Sequence, residues 1–452
     1  MEGGSRCLAE AVSWRALDAA VAELDAPLRR VQQTDRALPV TAQRRDPDAV
    51  AAPTSRRVTV ALVGVAALLA LAQIAAMLAV ADGDTFGTRY QALCQWDCGW
   101  YARIVADGYW HYDLPTNGFQ PERSDVAFFP GYPLAARLTQ RMTGLSTTGA
   151  LLVTAQLAAW GFWSYFLVVQ RAWRVPPWGM VAAVVAVLAH PGAFFFVVAY
   201  AEAPMLAAAL GLLHGVARRG PRSALLAGLH GALATATRPL GVAALAFPVA
   251  CLGELPLRRL VTIALLTVSG GLGFLAYCQW AFGAWDLYAR VAAAGWGDRW
   301  MWDAVLDWRS YYAAPRAFRA AWAGDAGALS RVAIDLATRG LLVLVAVDLI
   351  AGAWRRRLPA RVRLGLYAAA AVTVQVTVGG RASLGMSGAL RYIVAAHVFL
   401  VLAAVHLAQE VPDRSLRWAR IGLLVVVAAW AVVGGLVELR AAHRFVHEQW
   451  VA

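Results

Sequence analysis

VTVALVGVAALLALAQIAAMLAVA, residues 58–81, decides the fold. It runs for 24 residues without a charged side chain. As a helix it reaches about 36 Å, more than the ~30 Å hydrocarbon core of a bilayer. That core offers no water to backbone N–H and C=O groups, so such a run closes its own hydrogen bonds as a helix. It starts too far into the chain, and is too long, for a cleaved signal peptide, so none is expected.

The rest of the chain repeats this pattern. Of 452 residues, 60% are hydrophobic and 15% are charged, and the mean hydropathy is +0.54. A soluble domain sits nearer half apolar. Further apolar runs lie near 148–170, 178–198, 200–217, 222–237, 239–254, 258–281, 331–352, 363–380, 390–409 and 416–437. The fold class is therefore an all-α polytopic membrane protein with about eleven transmembrane helices, within a range of ten to twelve.

Charge placement supplies the topology. The net charge is +13, and every basic residue is arginine, which with abundant alanine points to GC-rich bacterial coding. The arginines cluster in short gaps between apolar runs, which argues against a nucleic-acid groove. Every second gap carries them: Arg171 and Arg174, Arg218 and Arg219, Arg258 and Arg259, Arg355 to Arg357, then Arg414, Arg417 and Arg420. By the positive-inside rule the N-terminus is cytoplasmic and the C-terminus extracytoplasmic, in a cell membrane. Residues 1–57 are expected as a cytoplasmic tail, disordered apart from one short helix near AVSWRALDAAVAELDA. Residues 58–438 are expected as the transmembrane domain and 439–452 as an external tail. Two long gaps, 82–147 and 282–330, fall outside, where long loops carry function. In the first, DVAFFPGYPLAARLTQRM is expected to lie along the outer interface as helix. The second is rich in Trp and Tyr, which suits an aromatic belt or a substrate-binding loop.

Four places carry chemistry. In CQWDCGWYARIVADGYW, residues 94–110, Asp97 stands among Trp96, Trp100 and Tyr101. A partly desolvated carboxylate there suits a general base, although a solvated loop acid or a helix cap reads equally from the residues. In HPGAFFFVVAYAEAPML, residues 190–206, Glu202 follows Tyr200 after a Pro-Gly break. Ionisable groups at such depth face a cavity or a partner. Arg238 in ATATRPLG, residues 234–241, is the lone charge of a long apolar stretch. Its guanidinium suits a phosphate, or pairs with Glu202 as a structural unit. Arg391 and Tyr392 open the span GALRYIVAAHV, residues 388–398, where the arginine meets a lipid phosphate or only snorkels. Cys94 and Cys98 are expected as free thiols, although a separation of four allows a disulfide. The five cysteines show no metal spacing, and His443 with His447 is too small a set, so no metal site is expected.

The same segments resemble those of bacterial PIG-V-like mannosyltransferases, relatives of the second mannosyltransferase of GPI-anchor assembly. QWDCGWYARIVADGY resembles their WDGGWY-type segment, DVAFFPGYPLAARL their FFPLYPL, and FFFVVAYAEAPML their FFxxxYTESLF. ATATRPLG is similar to ATATRPTG, and GALRYIVAAHVFL to the late PRY segment. Order and spacing match over most of residues 90–400. The resemblance implies a C-type (GT-C) membrane glycosyltransferase fold and a polyprenyl-phosphate-mannose co-substrate, with no metal or other cofactor. It implies that Asp97 takes the proton of an acceptor hydroxyl during inverting transfer, with Arg238, Arg391 and Tyr392 on the donor phosphate. Trp96, Trp100, Tyr101, Tyr200 and Glu202 would wall the pocket. The acceptor would be a lipid, glycan or protein outside the membrane; membrane lipids are partners and nucleic acid is not. The chain departs from the family pattern at Cys98 (Gly), Ala201 (Thr), Ala203 (Ser) and Leu240 (Thr), which removes hydroxyls and leaves the charges. A transporter or lipid flippase is the alternative; no internal repeat is visible, and the charged candidates lie at span ends rather than mid-membrane.

Overall fold

Ser55 opens the first helix, its hydroxyl accepting from Val58 N at 3.4 Å, one turn before the long apolar run. The computed structural model describes residues 55–109, 124–216, 218, 220, 222–296, 315–316, 319, 326–353, 358–379, 386–410 and 413–448. The N-terminal tail with its expected short helix, most of the 282–330 loop, and the Arg355–Arg357 gap lie outside the described residues. In chain order the helices are α1 (Arg56–Val80), α2 (Phe86–Gln91), α3 (Asp97–Asp107), α4 (Gly131–Thr143), α5 (Thr147–Ala172), α6 (Pro177–Leu188), α7 (Glu202–Val216), α8 (Ser223–Thr237) and α9 (Ala246–Ala250). Then follow α10 (Leu257–Phe282), α11 (Leu287–Trp296), α12 (Ala326–Ala353), α13 (Ala360–Val378), α14 (Met386–Glu410) and α15 (Asp413–Val446). No strand occurs among the described residues.

Among the described residues, five helical stretches are long and apolar enough to cross a membrane: Arg56–Val80, Thr147–Ala172, Leu257–Phe282, Arg391–Gln409 and Arg420–Val446. In the middle of the chain the spans are interrupted, as the Pro-Gly break in the sequence leads one to expect. The 178–198 run is helical only to Leu188, because His190-Pro191-Gly192 interrupts the i→i−4 ladder. A 3-10 turn follows at Ala193–Phe196. The 239–254 run starts as 3-10 helix at Pro239–Leu245 and becomes α9 only at Ala246. Arg238 before it is extended (φ −155°), as a residue ahead of proline prefers. At the far end, α15 continues to Val446 through much of the expected tail.

The stretch from Ala189 to Ala201, outside any α-helix, is buried throughout; 3-10 and turn bonds satisfy part of its backbone, and the rest takes partners from elsewhere. Gln73 of α1 donates to Ala193 O at 3.3 Å, and Gln156 of α5 donates to Val197 O at 3.3 Å. Leu93 O accepts from Ala199 N at 3.2 Å. Two glutamines within long apolar helices thus serve an irregular segment.

Successive segments run alternately between two ends of the bundle. At one end Arg361 of α13 donates to Trp173 O at 2.7 Å, past the close of α5. Arg259 of α10 donates to Val216 O at 3.3 Å, where α7 stops. Arg363 pairs with Glu254 and, at 3.8 Å, with Asp348. The opposite end holds the close of α8 and the starts of α3, α7 and α14, all joined through the ion pairs described below.

Close packing of α8 on α10 depends on small residues. A Cβ on Gly270 would collide with the backbone carbonyl of Ala232, whereas a Cβ on Gly273 would meet nothing within 4 Å. Gly270→Ala is expected to destabilise the purified protein by about 1–3 kcal/mol through overpacking. Gly273→Ala, one turn on, should hold or raise Tm because alanine favours the helix. Equal melting temperatures for the two variants would refute this packing account.

Candidate functional site

The site begins at the start of α3. Cys94 and Cys98 are joined in a disulfide, so the free thiols expected from the sequence are corrected. The bridge closes a tight loop around Trp96, whose φ of 52° lies in the left-handed region. Trp96 is the N-cap and makes no side-chain cap bond; Asp97 is the first helical residue. The capping alternative for Asp97 therefore fails. Its backbone N–H donates to the Tyr200 hydroxyl at 3.3 Å, and its buried carboxylate is ion-paired with Arg391. The positive end of the α3 dipole favours an anion at this position.

Arg391 enters from the first turns of α14. One of its terminal nitrogens takes Asp97 and the other donates to the Tyr392 hydroxyl at 2.8 Å. Its guanidinium lies 5.7 Å from the Tyr200 ring centre and 4.9 Å from that of Tyr392. Arg238, at the close of α8, lies 4.9 Å from the same Tyr392 ring and pairs with Glu202 at the start of α7. Two carboxylate–arginine pairs thus flank one tyrosine. Of the two alternatives left open for Arg238, the pairing with Glu202 is present.

A recess of ≈ 950 Å³, part of it open, lies over this array, and Asp97, Tyr101, Arg238, Arg391 and Tyr392 line it. Tyr200 and Glu202 stand behind it, each bonded to a lining residue. Trp96 and Trp100, expected as pocket walls, do not line it. Trp96 is 41% exposed, turned away by its backbone, and the Trp100 ring is taken up by Phe128 at 5.8 Å and Arg103 at 5.1 Å. Tyr101 packs edge-on against Phe128 and Tyr132, at 5.2 and 4.9 Å. Burial pushes its hydroxyl well above the usual tyrosine range, so it remains neutral and can donate.

Several lining residues escaped sequence reasoning. Phe128 and Phe129 sit inside a quoted motif but were not singled out; Tyr288 comes from α11. Gln375 of α13 donates to Pro239 O at 2.9 Å. Its signal was present: it is the one amide in the apolar 363–380 run. Three buried polar atoms here have no partner, namely Glu202 Oε2, Arg391 Nε and Gln375 Oε1. Buried polar atoms are normally satisfied, so a polar ligand suits the recess.

The disulfide carries its own prediction. In the purified protein, a maleimide should label neither Cys94 nor Cys98 until a reductant is added. Half-buried Cys94 should then label ahead of buried Cys98. Peptide mapping by mass spectrometry reads the result; labelling without reductant would show the bridge absent.

No protein family, curated protein or solved structure matches this chain.

Proposed function

We propose that the chain is an integral-membrane glycosyltransferase of C-type architecture with eleven passes. It transfers mannose from polyprenyl-phosphate-mannose to an extracytoplasmic lipid, glycan or protein, with inversion. The arginine-rich end of the bundle is cytoplasmic in this reading, and the Asp97 recess opens outward. One observation carries it: an acid, two arginines and a tyrosine from three separate segments meet at one recess. The motif order that resembles PIG-V-like mannosyltransferases supports the sugar and the donor class.

The chemistry follows from the groups present. An acceptor hydroxyl oxygen attacks the anomeric carbon of the donor, and its proton passes to an Asp97 carboxylate oxygen. The bond from that carbon to the lipid phosphate breaks on the opposite side, which inverts the configuration. The electron pair leaves with the phosphate, where Arg391 and Arg238 meet the developing charge. Asp97 holds Arg391 in the resting protein. A phosphate that draws Arg391 away leaves the carboxylate for the acceptor, so donor binding precedes acceptor activation.

Radiolabelled polyprenyl-phosphate-mannose supplied to membranes containing the protein tests the proposal. Label should move into a lipid, glycan or protein fraction above the level of membranes lacking the chain. Intact donor crossing the bilayer without chemical change would favour a flippase and sink the transferase reading.

A further inference from the structure

The arginine-rich end of the bundle holds a second recess, opposite the first, with ≈ 1070 Å³ of empty space between α5, α7 and α8. Tyr165, His214, Arg218, Arg222, Ser223 and His230 line it, and no acidic side chain is among its described lining residues. Its floor is specifically built. His230 Nδ1 is 2.7 Å from Leu226 O. A carbonyl can only accept, so Nδ1 carries a hydrogen, and Nε2 lies 2.8 Å from the Tyr165 hydroxyl. Gly211 makes room for that ring, which any Cβ at the position would strike.

Arg259 braces the wall. One terminal nitrogen donates to Gly215 O and Val216 O, at 3.2 and 3.3 Å, and to Ser223 Oγ at 3.0 Å. Its Nε is buried without a partner. The first turn of α8 points its N–H groups toward the same end, and Arg222 at the N-cap makes no side-chain cap bond. Arg218 and Arg222 are both exposed.

We propose that this recess binds a phosphate group. Two exposed guanidiniums beside a helix start, without a carboxylate, concentrate positive potential where an anion can dock. Below it α8 exposes Leu225, Leu226, Leu229 and Leu233. That strip would run beside acyl chains when the phosphate belongs to a membrane lipid, and basic pockets between helices on the cytoplasmic side suit such headgroups.

Native mass spectrometry of the purified full chain tests this with phosphatidylglycerol against phosphatidylcholine. Titration calorimetry in lipid-free detergent tests it with inorganic phosphate. The Arg218→Gln/Arg222→Gln double variant should lose about tenfold in phosphatidylglycerol affinity, as expected for lost charge-assisted hydrogen bonds. Arg171→Gln/Arg258→Gln removes two exposed arginines of the same end that do not line the recess, and should change affinity less than twofold. A loss seen only with inorganic phosphate would assign the recess to a free phosphate. Equal losses in the two double variants, or no loss in either assay, would overturn the site. Because all four arginines are exposed, each variant should keep the wild-type Tm.

Discussion

Asp97→Asn is expected to lower sugar transfer by about a thousandfold, within the range that general-base catalysis contributes. Asparagine keeps the shape and removes the base. It also strips Arg391 of its counter-ion in a buried setting, and breaking one half of such a pair costs about 3–5 kcal/mol. Folding and chemistry must therefore be separated. The Asp97→Asn/Arg391→Gln double variant removes both charges and should recover much of the lost stability without recovering transfer. Transfer rates at matched amounts of folded protein decide the matter. Activity retained in Asp97→Asn would remove Asp97 from the mechanism and move the search to Glu202.

Arg238→Ala should be the most damaging substitution for the fold. Glu202 is 1% exposed, and its second oxygen already lacks a partner. Truncating Arg238 leaves that carboxylate buried and alone, at a cost of about 3–5 kcal/mol, a large share of a typical folding free energy. Size-exclusion chromatography should show aggregated or missing protein. The neutral pair Glu202→Gln/Arg238→Gln should restore a monodisperse species whose transfer remains about a hundredfold low, as expected when one charge-stabilising donor is lost. Full transfer by that neutral pair would make Arg238 a structural residue only.

These pairs show what the sequence carried and what it did not. Arg238 is legible as a lone charge in an apolar stretch, and Glu202, the acid of the 190–206 segment, as a fitting partner. The Asp97–Arg391 contact was not legible, because 294 residues separate the two. Alternation of the arginine gaps placed both at one end of the bundle, but only helix rotation and register decide which carboxylate meets which arginine. Trp96 and Trp100 were placed in the pocket by adjacency to Asp97. A positive φ at the first and a stacking partner for the second sent them elsewhere. The apolar runs located helical segments and the prolines marked the breaks at His190-Pro191-Gly192 and Arg238-Pro239, but not the 3-10 helix that follows each. Cysteine spacing permitted a bridge without requiring one. Gln375 shows how a single amide in an apolar run marks a site whose location only the folded chain reveals.

The short middle helices bear on biosynthesis. Helices α6, α7 and α8 have 12, 15 and 15 residues. At 1.5 Å per residue, none reaches across ~30 Å of hydrocarbon alone. Residues 189–201 cannot leave water unaided, since 3-10 and turn bonds satisfy only part of their backbone. Three of the groups that bond it, on Gln73, Leu93 and Gln156, precede it in the chain, whereas the Glu438 carboxylate, which accepts from Phe194, follows near the end. The ribosome thus delivers most of the hydrogen-bonding template before the segment that needs it, and the last helix to be made closes it through Glu438.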